Sequence, residues 1–86
     1  MEKHEEESRV AIVGIIVQDK DDIDELNHVL HEYGEFIIGR MGIPYQEKKI
    51  CIISIALDAP QSIISELSGK VGMIKGISAK VTYAKY

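Results

Sequence analysis

The segment at residues 39–45, GRMGIPY, combines the residue types in this chain that are most able to bind another molecule. Arg40 carries a planar fork of donors suited to an anion or a carboxylate. The glycines at positions 39 and 42 weaken a strand, so they indicate a bulge or the close approach of another backbone. We expect a ligand or partner to contact six residues of this segment, Gly39, Arg40, Met41, Gly42, Pro44 and Tyr45. The alternative is a structural hairpin with an interfacial arginine.

Metal binding is the chemistry that the histidines could support. His28 and His31 are i, i+3 neighbours on a predicted helix and could share a metal, but the site would lack a third protein ligand. Both lie away from the apolar stripe of that helix, which indicates solvated surface residues. His4 falls in a charged N-terminal segment, and CxxC-type metal spacing is absent from the sequence. We therefore expect no metal and no other cofactor.

Catalysis could use the single cysteine or the acidic cluster before the first helix. Cys51 lies in an apolar strand with no base nearby in sequence, so we expect a small buried hydrophobe. The acidic cluster consists of Asp19, Asp21, Asp22, Asp24 and Glu25. Helix capping and a solvated helix face explain these carboxylates. Because the sequence also shows no Gly-rich phosphate loop, we expect no enzyme. The alternative is a small enzyme that uses Cys51 or the acidic cluster, whose turnover would be lost in a Cys51 or Asp21 mutant.

Four strands are predicted to position these residues. Continuous β-branched runs indicate strands over residues 9–18 and 48–58 that are buried on both faces. A weaker strand over residues 35–43 turns at residues 44–47 and forms a hairpin with the strand that follows. After Gly76, apolar and polar residues alternate with a period of two, which predicts an edge strand with one wet face.

Two helices are predicted between the strands, because apolar residues recur there at helical spacing. Asp21 is a good N-cap for the first helix, and Gly34 suits the position after its last turn. The second helix is predicted to hold Pro60 in its first turn and to end at Gly69 or Gly72.

The order β-α-β-β-α-β predicts a ferredoxin-like α+β fold. Two right-handed crossovers put both helices on one face of a four-stranded antiparallel sheet. The expected spatial order is fourth, first, third, second strand, so the two doubly apolar strands become the central ones. We divide the chain into a flexible acidic tail at residues 1–8 and one domain at residues 9–86.

With both helices on one side, the second face of the sheet has no cover from the same chain. The first and third strands still carry apolar residues on that face. Such a patch would exceed the roughly few hundred Å² that monomers usually expose. The sequence therefore predicts a homo-oligomer, a dimer or a tetramer, in which copies pack sheet to sheet or edge to edge.

Charge and hydropathy indicate which partners to expect. The net charge of −4 divides into −3 in residues 1–8, −6 in residues 19–35 and +5 elsewhere. The basic residues are scattered and form no stripe, so direct nucleic-acid binding is not expected. No apolar run reaches the ~18 residues needed to cross a bilayer and no signal-peptide pattern is present, so we expect a cytoplasmic protein without membrane contact. Few Asn and Gln beside many Ile, Glu and Lys indicate a thermophilic source.

Four segments carry a resemblance to a known family: VAIVGIIV, LNHVLHEYGEFIIGRMGIPY, ICIISIALDAP and GKVGMIKGISAK. They resemble the iron-only hydrogenase system regulator family, small proteins similar to ACT domains and to the C-terminal domain of the nickel-responsive regulator. The resemblance implies an ACT-like regulator of that system. It would be an oligomeric module that senses a small anionic ligand or binds a protein of the hydrogenase system. The alternative is a structural assembly domain without a ligand.

The chain departs from the wider pattern of those relatives in three places. Residues 18–22 lack the glycine of the amino-acid-binding ACT loop and carry three aspartates, which would repel a substrate carboxylate. His28 and His31 lie on a predicted helix, so the strand-borne metal ligands of the nickel regulator have no counterpart. The acidic tail does not resemble a DNA-binding arm. We therefore expect any transcriptional regulation to act through another protein.

Overall fold

A computed structural model describes residues 7–18 and 22–85. The chain forms four strands and two helices, in the order β1 (Ser8–Val17), α1 (Ile23–Glu32), β2 (Ile37–Tyr45), β3 (Ile50–Pro60), α2 (Gln61–Gly72) and β4 (Ile77–Tyr83). Short 3₁₀ turns follow α1 and β2. Within the described ranges, neither helix is long and apolar enough to cross a membrane.

All four strands belong to one antiparallel sheet with the order β2-β3-β1-β4. This is the predicted spatial order, and the ferredoxin-like α+β fold is confirmed. β1 and β3 lie at the centre and pair along ten residues, from Ser8 opposite Pro60 to Val17 opposite Cys51. Their β-branched, apolar sequences suit strands, and the central position pairs both edges of each strand with a neighbour.

The core lies between the sheet and the two helices. Alternate residues of β1 and β3 face the helices and are almost fully buried, among them Val13, Ile15, Ile55 and Leu57. The helices close the core with Leu26 and Leu30 of α1 and with Ile64, Leu67 and Val71 of α2. The remaining residues of β1 and β3 point to the side of the sheet without helices, called the open face below.

The hairpin between β2 and β3 differs from the prediction. Pro44 and Tyr45 were expected in the turn, but they continue β2 and pair with Cys51 and Ile50. The chain reverses at residues 46–48 instead, and Lys49 completes the reversal in the left-handed region with φ 56°. A proline is tolerated here because β2 is an edge strand, where a missing N–H can face away from the neighbour.

The helix starts also differ from the prediction. Asp21 lies outside the described residues, and Asp22 is the residue that precedes the first turn of α1. Pro60 is the last residue of β3, with φ −57° and ψ 148°, and α2 begins after it at Gln61. Because Pro60 pairs with Ser8, strand pairing overrides the local preference of proline for a first helical turn. The helix continues through Gly69 and ends at Gly72, the second of the two predicted ends.

The first strand begins within the predicted acidic tail. Ser8, the last residue of that predicted tail, is the first residue of β1. Residues 1–6, and with them His4 and most of the predicted tail, lie outside the described part of the chain.

Candidate functional site

The predicted binding segment lies on the exposed edge strand β2, and the alternation of the strand divides it between two surfaces. Gly39, Met41 and Tyr45 pair with Ala56, Ser54 and Ile50 of β3, which places them on the open face. The other three residues, Arg40, Gly42 and Pro44, pair with the helix-facing residues Ile55, Ile53 and Cys51. The structure therefore brings the six residues onto one strand but not onto one face.

Arg40 connects the edge strand to the first helix. Its Nη2 donates a hydrogen bond of 2.6 Å to Oδ1 of Asn27 on α1. The guanidinium remains exposed to solvent, so donors at this position can meet an anion or an acidic surface. Asn27 was not singled out from the sequence, because nothing local shows that a helix residue lies beside a strand residue thirteen positions later.

A cavity of about 270 Å³ lies where the β2–β3 hairpin meets the end of β1 and the start of α1. It is called the hairpin cavity below, and its lining is Val17, Ile23, Pro44, Tyr45, Gln46, Lys49, Ile50 and Cys51. Most of these side chains are apolar, with Lys49, Gln46 and Tyr45 supplying polar groups. Pro44 and Tyr45 are thus the predicted site residues that contribute to a concave surface.

Cys51 is half-buried and lines the hairpin cavity, although a fully buried position was expected. It pairs with Val17, the last residue of β1, so it lies at the end of the sheet. The residues that follow at helix-facing positions of β3, beginning with Ile53, are buried in the core. Cover by the helices therefore stops close to Cys51.

Tyr45 is held at the hairpin by a local hydrogen bond. Its hydroxyl donates to Oε1 of Glu47 over 2.6 Å. This bond to a carboxylate, with a smaller contribution from burial, raises the pKa of Tyr45 above its usual value of 10.0. At neutral pH the hydroxyl is therefore a protonated donor, anchored beside the cavity.

The open face carries the apolar surface that the sequence predicted, and more. Five large apolar side chains on it are 40–58% exposed: Ile12, Ile16, Met41, Ile43 and Ile52. Ile12, Ile16 and Ile52 belong to the central strands, as expected. Met41 and Ile43 extend the patch onto β2. The alternation of these two apolar residues was not recognised in the sequence, because the glycines around them indicated an irregular strand. That another copy covers this patch remains a prediction.

A second network, which the sequence did not indicate, joins the two helices. The Tyr33 hydroxyl donates to Oε1 of Glu66 over 2.7 Å, and Lys70 Nζ lies 5.4 Å from the Tyr33 ring centre. Lys70 also forms an ion pair of 3.5 Å with Glu32. Burial of the ring, and then the bond to Glu66, raises the pKa of Tyr33. These contacts explain a stable helix pair and do not define a ligand site.

The other chemical candidates remain dispersed. His28 and His31 are exposed on α1, as predicted. Asp19 and Asp21 lie outside the described residues, whereas Asp22, Asp24 and Glu25 lie at the start of α1. Over residues 7–18 and 22–85, no three His, Cys, Asp or Glu side chains come close enough to hold a metal ion.

Comparison with known sequences gives one family. Residues 9–81 match the TM1266-like family, described as "Iron-only hydrogenase system regulator, putative". Among relatives, a "Putative nickel-responsive regulator" of Saccharolobus solfataricus is 32% identical over 67 residues, which are 78% of this chain and 50% of the relative. The protein of the same description in Saccharolobus islandicus is 29% identical over the same shares. The chain thus spans about half the length of these regulators.

Comparison with solved structures agrees with the sequence match. The uncharacterized protein TM1266 from Thermotoga maritima superposes with a TM-score of 0.88 at 34% identity, covering 92% of this chain and 100% of that one. A formyltetrahydrofolate deformylase from Pseudomonas putida KT2440 gives a TM-score of 0.62 at 10% identity, over 85% of this chain and 28% of the deformylase. At that identity the second likeness shows a shared fold alone.

Proposed function

The chain belongs to the TM1266-like family of iron-only hydrogenase system regulators, and from that membership we propose that it is a non-enzymatic, oligomeric regulatory module of such a system. The binding element in this proposal is β2 with its Arg40 side chain. The occupant is a small anionic ligand or an acidic surface on a protein of the hydrogenase system. Regulation then passes through this contact in the cytoplasm, and this domain does not itself bind DNA.

The observation that supports this site is the position of Arg40. The side chain is exposed and oriented by Asn27, so less conformational freedom is lost when it binds an anion. Gly42 follows Arg40 by two residues and lies on the same face of the sheet. It has no side chain, and a Cβ added there would only just contact Ile53, at 3.8 Å. An incoming group can therefore approach the backbone of β2 beside the guanidinium.

The scattered charges support a protein or small-molecule contact over nucleic acid. The described basic residues lie on separate strands, turns and helices, whereas DNA binding relies on a continuous basic stripe.

Deletion and complementation in the native host test the proposal. We expect deletion of the gene to change the transcript level or activity of the iron-only hydrogenase, and the wild-type gene to restore it. Arg40→Ala should restore it less well, whereas Lys75→Ala, which removes an exposed cation from another surface, should restore it fully. An unchanged hydrogenase after deletion overturns the proposed role, and full restoration by Arg40→Ala overturns the assigned site.

A structural assembly domain without a ligand is the alternative. Native mass spectrometry of the purified protein separates the two possibilities. A small molecule that stays bound to the wild type and is lost in Arg40→Ala supports ligand sensing. The assembly role is supported if the purified protein carries no small molecule and if its binding to hydrogenase-system proteins does not depend on Arg40.

A further inference from the structure

We propose that the open face is the interface between two copies of this chain, packed sheet on sheet, with a side chain of each copy inserted beside Gly14 of the other. The inference rests on the oligomeric part of the proposed function and assigns its surface. It leaves the Arg40 site free, because Arg40 lies on the helix side of the sheet.

The open face has a hollow at its centre. Gly14 lies in β1 between Ser54 of β3 and Lys80 of β4. A Cβ built at Gly14 would meet nothing within 4 Å, so the space above this residue is open. A groove of about 410 Å³ follows from it, lined also by Ile16, Ile52 and Ser78.

Apolar ridges flank the hollow on the same surface. Ile12 and Ile16 lie two residues on either side of Gly14, and Ile16 is directly opposite Ile52. A surface that carries both a hollow and ridges of side-chain size can complement itself. Under two-fold symmetry each copy presents the same patch, so a ridge of one copy enters the hollow of the other.

The area of the face suits a dimer. Strands spaced about 4.8 Å apart and rising about 3.4 Å per residue give four strands of seven residues a flat footprint of roughly 450 Å². With the relief of the side chains, two such faces in contact remove on the order of 1,200 Å² from water, the lower range of specific interfaces.

The charges on the face permit self-association. At the paired positions of the described strands, the open face carries one cation, Lys80, and one anion, Asp58. Asp58 lies near the end of β3, away from Gly14. Lys80 lies beside Gly14 and lines the groove, but on the edge strand β4, where Ser78 and Thr82 share its face. An apolar centre with a polar rim is the usual composition of a protein interface. A strongly charged partner would find little complementary charge on this surface, so a second copy fits better.

Light scattering or sedimentation of the full chain at micromolar concentration tests the interface with three variants. We expect the wild type at twice the monomer mass of 9.6 kDa, or at a multiple that contains this dimer. Ile16→Glu should dissociate the dimer, because the interface would otherwise bury an unpaired carboxylate. Gly14→Val should weaken it at least about tenfold by filling the hollow. Met73→Glu places the same charge on an equally apolar but more exposed residue after α2, and should leave the mass unchanged.

Gly14→Val keeps the test decisive if Ile16→Glu fails to fold. Valine suits a strand better than glycine and has room here. At a concentration low enough for both proteins to be monomeric, the variant should therefore unfold at the same temperature as the wild type or higher, while associating less. A monomeric wild type overturns the proposal. A chain that is monomeric alone and associates only with a different protein overturns it as well. So does a dimer that both open-face variants leave intact. If the dimer is intact in solution and Arg40→Ala fully restores the hydrogenase in the deletion strain, only the Arg40 site is rejected.

Discussion

Arg40 and Met41 are consecutive in the chain but lie on opposite faces of the sheet. Arg40 Nη2 contacts Asn27 Oδ1 at 2.6 Å on the helix side, whereas Met41 pairs with Ser54 on the open face. The segment that the sequence singled out therefore contributes to two surfaces. Single substitutions can affect ligand or partner binding and self-association separately.

Adjacent substitutions on β2 should have different effects on mass. Met41→Glu places a charge in the apolar patch of the open face and should reduce the dimer fraction at micromolar concentration. Arg40→Glu, the matched control one residue earlier, should leave the mass as in the wild type. Light scattering over a dilution series makes the comparison. Equal loss of dimer in both variants would mean that the edge of β2, and not the open face, forms the interface.

Removal of the Tyr33 hydroxyl should destabilise the helix pair modestly. The hydroxyl lies at the surface end of a buried ring and bonds the exposed Glu66, so Tyr33→Phe should lower the free energy of unfolding by about 0.5–1 kcal/mol. Tyr45→Phe is the control, because its bond to Glu47 is exposed and joins neighbours in sequence; we expect almost no change. Urea denaturation measures both, and a larger loss for Tyr45→Phe would contradict the assignment.

Stability should fall at alkaline pH through the same network. Burial, with the bond to Glu66, raises the pKa of Tyr33 from 10.0, and the bond to Tyr33, with the attraction of Glu32, raises the pKa of Lys70 from 10.5. The folded chain thus holds both protons more tightly than the unfolded chain. The stabilisation is complete below those usual values and is lost as pH rises through the raised ones.

Urea denaturation across the alkaline range should therefore show a free energy of unfolding that decreases above about pH 10. Tyr33→Phe removes one of the two groups and weakens the hydrogen bonding of the other, so its decrease should be shallower. A decrease as steep as that of the wild type would show that other groups control alkaline unfolding.

Cys51 should react with a small alkylating reagent in the native state. The thiol lines the hairpin cavity and is half-buried, so labelling by iodoacetamide should go to completion without denaturant, more slowly than in the unfolded chain. Ala59→Cys in a Cys51→Ala background is the control, since position 59 is fully buried on the same strand and should label only after unfolding. Mass spectrometry follows both, and equal protection would mean that the cavity is closed in solution.

The fold could be predicted because its signals are redundant. The central strands are apolar on both faces, the helices show their own period, and the order of elements permits few topologies. The turn at Pro44 was misplaced for a different reason. Local preference favours a turn there, but pairing of Pro44 with Cys51 and Tyr45 with Ile50 extends the strand. Such pairing depends on residues in the next strand, which local preference does not include.

The division of the site between two faces was harder to predict. A bulge between Ile37 and Gly39 inserts Ile38 as an extra residue, so Ile37 faces the helices and Gly39 faces the open side. Without the bulge, alternation would place both on the same face. The glycine at 39 indicates an irregular strand but not the position of the extra residue. The contact between Arg40 and Asn27 likewise depends on how α1 packs, which residue types alone do not determine.

Sedimentation equilibrium of the wild-type chain and of Gly14→Val, at the same micromolar concentration, shows whether two copies pack through the open face. We expect a wild type at twice 9.6 kDa or a larger even multiple, and a folded Gly14→Val with a clearly lower average mass. A wild type at 9.6 kDa, or the same mass for both proteins, would contradict it.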